Sequence, residues 1–111
     1  MPLLPNAARA VIDVRKIEDY CLSPTHPRGR HKARVFREAL GLSQRDAQWL
    51  RQTLLDGLIE HEAVELASDA YGVRFCIDVG VARHGKRAVV RSIWIVRRGE
   101  QVPRFVTCWV L

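Results

Sequence analysis

The chain has 111 residues, 48% hydrophobic and 27% charged, with 18 Lys/Arg against 12 Asp/Glu and a formal net charge of +6. This length predicts one domain, 1–111, with a single modest core, and the composition argues against disorder. No apolar run approaches the roughly 20 residues of a membrane span, and "MPLLPNAARA" lacks the basic-then-apolar layout of a secretory signal. Three scattered cysteines, Cys21, Cys76 and Cys108, fit buried thiols in a reducing compartment better than a disulfide framework, so the expected location is cytoplasmic.

In chain order, residues 1–12 read as an extended arm with Pro5 fixing its direction. Asp13 is placed to cap a short helix through "VRKIEDYCL", which Ser23-Pro24 ends. After a loop rich in His and Arg, "HKARVFREAL" reads as a helix stopped by Gly41, with Val35, Phe36 and Leu40 inward. "SQRD" opens a third helix, with Ser43 as cap and Asp46 in the first turn. Its stripe is Ala47, Leu50, Leu54 and Leu58, with Trp49 on the flank. From Ala63 the period falls to two. "AVELAS", "GVRFCIDV", "RAVVRSIWIVRR" and "RFVTCWVL" read as strands joined by the turns "DAYG", "RHGK" and "RGEQVP". The predicted fold is α+β: about three N-terminal helices over residues 13–61 packed on one face of a four-stranded antiparallel meander over 62–111. Trp94, Val96, Phe36, Leu50 and Leu54 are the expected core between the layers.

Charge is unevenly divided. Residues 1–37 carry eight Lys/Arg and three Asp/Glu, residues 38–80 three and eight, and residues 81–111 seven and one. If the two basic ends meet, they form one face that attracts polyanions. The expectation is that Arg28, Arg30, Lys32 and Arg91 line one concavity, remote from Glu60 and Glu62. On the third strand Val90 and Trp94 make the better core face, which turns Arg91 outward. A suitable register would set Thr107 beside it, but a one-residue slip swaps faces.

"SPTHPRGRHKARVF" concentrates two histidines and four cations at one corner. The plain reading of His26 is a loop residue bonded to backbone near Pro27, and of His31 a helix-start residue facing water. A metal site of Cys21, His26 and His31 lacks ligand spacing and a second ligand pair, so no metal is expected. A cysteine nucleophile with a histidine base rests on residue types alone. Paired carboxylates, a phosphate loop and a dinucleotide fingerprint are all missing from the sequence, and no cofactor is expected. What remains suits metal-free RNA cleavage. Histidine (His31, with His26 as competitor) moves the proton, while Lys32, Arg91 and Thr107 stabilise the phosphorane. Arg28, Arg30 and Arg34 hold phosphates, with amides at the helix start adding an anion seat. Phe105 and Trp109 are candidate base-stacking residues, equally readable as core.

The motifs "PNA", "SPTHPRGRHKARVF", "RSIWIV" and the terminal "VT" resemble those of a bacterial family of small domains of unknown function, over essentially the whole chain. The resemblance implies a toxin-like context, in which such domains stand beside small partner genes or end larger toxins. The layout is also similar to the barnase/EndoU/colicin/RelE ribonuclease toxins. That similarity implies His31 and Lys32 as helix-borne base and cation, and Arg91, Ser92 and Thr107 as strand-borne phosphate binders. "TCWVL" departs from that group, where Tyr-Pro would follow the threonine. The expectation is a metal-independent endoribonuclease toxin with RNA as substrate and a small acidic antitoxin or immunity protein as partner. The alternative is a non-catalytic RNA-binding or protein-binding module of such a pair.

Overall fold

The computed structural model describes residues 2–111. Helices come first and a four-stranded antiparallel sheet follows in the order β1-β2-β3-β4, an α+β fold. The strands are β1 Val64–Glu65, β2 Gly72–Arg83, β3 Lys86–Arg97 and β4 Arg104–Val110. The expected first strand shrinks to two residues, Val64 and Glu65, which pair with Cys76 and Phe75 of β2. The N-terminal segment is not simply extended. It makes a 3-10 turn at Ala7–Arg9, and Val11 then bridges Arg104 in parallel, covering part of the free edge of β4.

Asp13 caps α1 (Val14–Lys16) by accepting from the Arg15 amide at 3.0 Å. The helix then widens into a π-helical turn at Ile17–Cys21. That turn buries Ile17 and Cys21 and leaves Tyr20 half-buried beside the next helix. Helix α2 is Arg30–Leu40, ended by Gly41 in the left-handed conformation. It buries Ala33, Phe36 and Leu40, while Val35, expected inward, lies on the exposed flank. The Ser43/Asp46 capping box forms, but on a 3-10 turn, Gln44–Asp46, that leads into α3 (Ala47–Glu60).

Helices α2 and α3 pack on the sheet face carrying Ile77, Val79, Val90, Trp94 and Phe105. Phe36, Leu50, Leu54 and Trp94 are fully buried, and Val96 packs on the rim of the same cluster. Removing apolar area of this kind from water at roughly 25 cal/mol per Å² is what holds the two layers together. A bulge between Ile93 and Trp94 sets the register of β4. It places Phe105 opposite Trp94 and Cys108 opposite Ser92, so both enter the core although strict alternation would part them. No described helix is long and apolar enough to cross a membrane.

Candidate functional site

The corner where α2 begins is built on a close backbone approach. A Cβ on Gly29 would collide with the Tyr20 carbonyl, so only glycine lets α2 start against the π-turn. His26 then braces the loop that leads into the helix: its Nδ1 accepts from the amides of Arg28 and Gly29, both at 3.0 Å. Its ring meets Tyr20 edge-on with centroids 4.7 Å apart. The two loop amides just before the helix are thus taken by an imidazole, because His26 folds back over its own loop. Nδ1 carries no proton in this geometry, and Nε2 is the nitrogen left to exchange one.

Lys32, one turn into α2, is the hub. Its Nζ donates to Thr107 Oγ1 at 3.0 Å and to the Tyr20 hydroxyl at 3.4 Å. It stands 4.9 Å from the Tyr20 ring centroid and 5.3 Å from that of Trp109. No carboxylate pairs with it among the described residues. Beneath Thr107 lies Cys21, with Sγ 3.7 Å from Oγ1. A hydrogen bond from Cys108 and the field of Lys32, against the opposing effect of burial, lower the Cys21 thiol to about 7. Burial pushes Cys108 well up. Both sulfurs are sealed from solvent, so neither presents a nucleophile to a substrate.

His31 is exposed and lines two grooves, one on each side of α2. On one side a groove of about 440 Å³ is lined by Arg30, Arg34, Arg37 and Arg45, with Leu22, Pro24 and Leu42 at its floor. None of these four guanidinium groups has a carboxylate partner among the described residues. On the other side a groove of about 420 Å³ runs past Lys32, Val35, Trp109 and Val110. His31, Lys32 and Thr107 therefore share one corner, with Arg30 and Arg34 on the adjoining groove. Arg28 is exposed in the preceding loop.

Two expected site residues lie elsewhere. Arg91 does face away from the helices, but it makes a bidentate pair with Asp78 across the β2–β3 ladder, at 2.8 and 2.9 Å. It lines a separate groove with His61, Glu62 and Cys76, so the single cationic concavity remote from Glu62 does not form. The cause is register: Arg91 is opposite Asp78 on one side and Trp109 on the other, while Thr107 is opposite Ile93 and turns to Lys32. Ser92 is fully buried; it donates to Ile77 O at 3.1 Å and accepts from Trp94 Nε1 at 2.8 Å. Its hydroxyl is a core fixture with nothing left for a phosphate. Phe105 is core, packed edge-on against Trp94 with centroids 5.5 Å apart.

Tyr20, Arg37 and Arg45 complete the corner without having been singled out in the sequence. Arg30, Arg34 and Arg37 recur at helical spacing, a signal open to reading. Tyr20 arrives through the π-turn, for which the sequence carries no signal. Among the described residues no three His, Cys, Asp or Glu side chains converge as metal ligands.

This fold is similar to that of a chain in a solved structure, the "Contact-dependent growth inhibition toxin - immunity protein complex from Klebsiella pneumoniae 342". It has a TM-score of 0.71 at 16% identity, covering 91% of this chain and 99% of that one. No curated protein matches the chain. Residues 3–111 match the family described as a domain of unknown function (DUF6883), and the chain belongs to it.

Proposed function

We propose that this chain is the RNA-cleaving member of a toxin–immunity pair, acting in the cytoplasm by metal-independent attack of a ribose 2′-OH. The observation that carries the reading is the place of His31, exposed between a carboxylate-free arginine groove and the Lys32–Thr107–Tyr20 cluster. In this reading Arg30, Arg34, Arg37 and Arg45 hold phosphates on one side of the imidazole, with Arg28 at the entrance. His31 takes the proton from the 2′-OH, whose oxygen attacks the adjacent phosphorus while the bond to the 5′-oxygen breaks and that oxygen takes up a proton from water. Two of the three N–H groups of Lys32 are aimed at Thr107 and Tyr20, which leaves the third for the phosphorane oxygen. His26 is the second imidazole at this corner and the competing choice for proton transfer. The fold shared with a chain of a growth-inhibition toxin–immunity complex supports the pairing. A small acidic partner would neutralise the chain by covering the same basic corner.

Induction in a bacterial host, with sequencing of RNA ends, tests this. The expected result is arrested growth and new ends bearing cyclic phosphate. His31→Ala should slow cleavage ~100- to 10,000-fold while the exposed site leaves the fold intact. A 2′-deoxy substitution at the cut should block it, and chelator should have no effect. Cleavage of the deoxy substrate, or its loss on chelation, overturns the mechanism. Intact RNA together with tight capture of a partner would make the chain the non-catalytic member of the pair.

A further inference from the structure

The groove between α2 and β4 differs from the arginine groove in being mainly apolar. Val35 and Val110 form its sides, Trp109 is half-buried along it, and His31 and Lys32 stand at its polar end. On the same strand Cys108 and Phe105 are buried in the core, while Trp109 keeps part of its surface in the groove. Trp109 is opposite Arg91 in the ladder, yet among the described residues the cation set against its ring is Lys32, at 5.3 Å from the centroid. The indole is thus held by strand pairing and by the ammonium, and it is presented beside the Lys32–Thr107–Tyr20 cluster.

We infer that this groove is a nucleobase subsite, taking one unpaired base of an RNA strand stacked against Trp109 next to the phosphate held at His31 and Lys32. The inference rests on the proposed RNA reading of the same corner and names the form of RNA it would accept. The groove volume of about 420 Å³ accommodates a flat base along the indole. The charge arrangement fits as well: a nucleotide is a flat apolar ring tied to an anion, and the groove is an apolar channel ending in a cation. A base paired within a duplex has both faces stacked and its sugar–phosphate turned outward, so it cannot reach the indole. The corner therefore selects single-stranded segments or loops, and stacking tolerates any base because each has a π-face.

Binding of an uncleavable 2′-O-methyl RNA of about eight nucleotides tests this apart from catalysis. The probe is used intact and with an abasic residue moved through each position. Wild-type protein should bind the intact strand about 5- to 150-fold more tightly than the strand that is abasic at one particular position. In Trp109→Ala that difference should vanish, and Trp109→Phe should restore most of it. The same strand annealed to its complement should lose the position-specific advantage. Equal affinity for the intact and every abasic strand in wild-type protein, which needs no variant to fold, overturns the inference. An abasic effect that persists in Trp109→Ala overturns it too. If RNA is bound with the abasic effect but never cut, the subsite stands and the nuclease reading falls. If RNA is cut without any abasic effect, the reverse holds.

Discussion

Arg91 on β3 and Arg34 on α2 carry the same guanidinium, yet their surroundings differ in charge. Arg91 is gripped by Asp78 in a bidentate pair and looks into a groove shared with Glu62. Its local charge is close to cancelled, and an incoming phosphate would meet a carboxylate along with the cation. Arg34 shares its groove with Arg30, Arg37 and Arg45, and no carboxylate answers any of them among the described residues. Four uncancelled charges around one concavity focus a field that a single paired arginine cannot. The difference teaches that the basic balance of the two chain ends does not locate the anion site. The pairing of each cation does, and pairing is settled by strand register and helix face.

The largest test of this contrast replaces Arg30, Arg34 and Arg37 together with alanine and compares the result with Arg91→Ala. If each of the three neutralises one phosphate of single-stranded RNA, the slope of log affinity against log salt should shrink by about 2. Affinity at 0.1 M salt should fall by about 100-fold. Arg91→Ala should leave both quantities unchanged. An equal loss in the two proteins, read by titration at several salt concentrations, would erase the distinction between the two regions.

Much of the fold is legible in the sequence, for reasons that are local. The apolar stripe of α3, the Asp13 cap, the Ser43/Asp46 box and the turns around His84-Gly85 and Gly99 are short-range patterns with short-range causes. The corner of the candidate site is only partly so. His31, Lys32, Arg30 and Arg34 follow from the helix start, but Thr107 meets Lys32 only because a bulge at Ile93/Trp94 resets β4. Alternation cannot reveal a bulge, since one inserted residue reverses the faces beyond it. Partners across strands are equally hidden: the Asp78 partner of Arg91 lies thirteen residues away across a hairpin, and the Ser92 hydroxyl is absorbed by Trp94 and Ile77. The π-turn that delivers Tyr20 breaks the 3.6-residue period, so helical patterning carries no trace of it.

A smaller effect tests whether the α2 corner is held by the backbone contact beneath it. Gly29→Ala places a methyl group against the Tyr20 carbonyl, which is main chain and cannot swing away. The start of α2 must back off from the π-turn, at a cost of about 1–3 kcal/mol in global stability. With it should go the hydrogen bonds from the Arg28 and Gly29 amides to His26 and the Lys32–Tyr20 contact. Chemical denaturation gives the stability, and RNA cleavage the functional loss. The Arg91–Asp78 pair, on the far face of the sheet, should be untouched, so the acid dependence described next should survive in this variant. Unchanged stability and cleavage would mean that the corner does not depend on this close approach.

The smallest expected effect concerns the paired region itself. Hydrogen bonds from Arg91, against the opposing effect of burial, hold the Asp78 carboxyl below its ordinary value. A group whose pKa is depressed on folding stabilises the native state above its unfolded value, near 3.9, and loses that contribution as pH falls through the folded value. Stability should therefore decline below about pH 4 partly through Asp78, and Asp78→Asn should flatten that limb while lowering stability slightly at neutral pH. Both side chains are more than a third exposed, so solvent screening keeps the change small and high salt should reduce it further. The same substitution frees Arg91 beside its groove. If uncancelled charge is what makes an anion site, Asp78→Asn should gain weak, salt-sensitive RNA binding at the outer sheet face, which Arg91→Ala in that background removes. Absence of any gain would show that one unpaired guanidinium is too few, and that the α2 groove depends on having four.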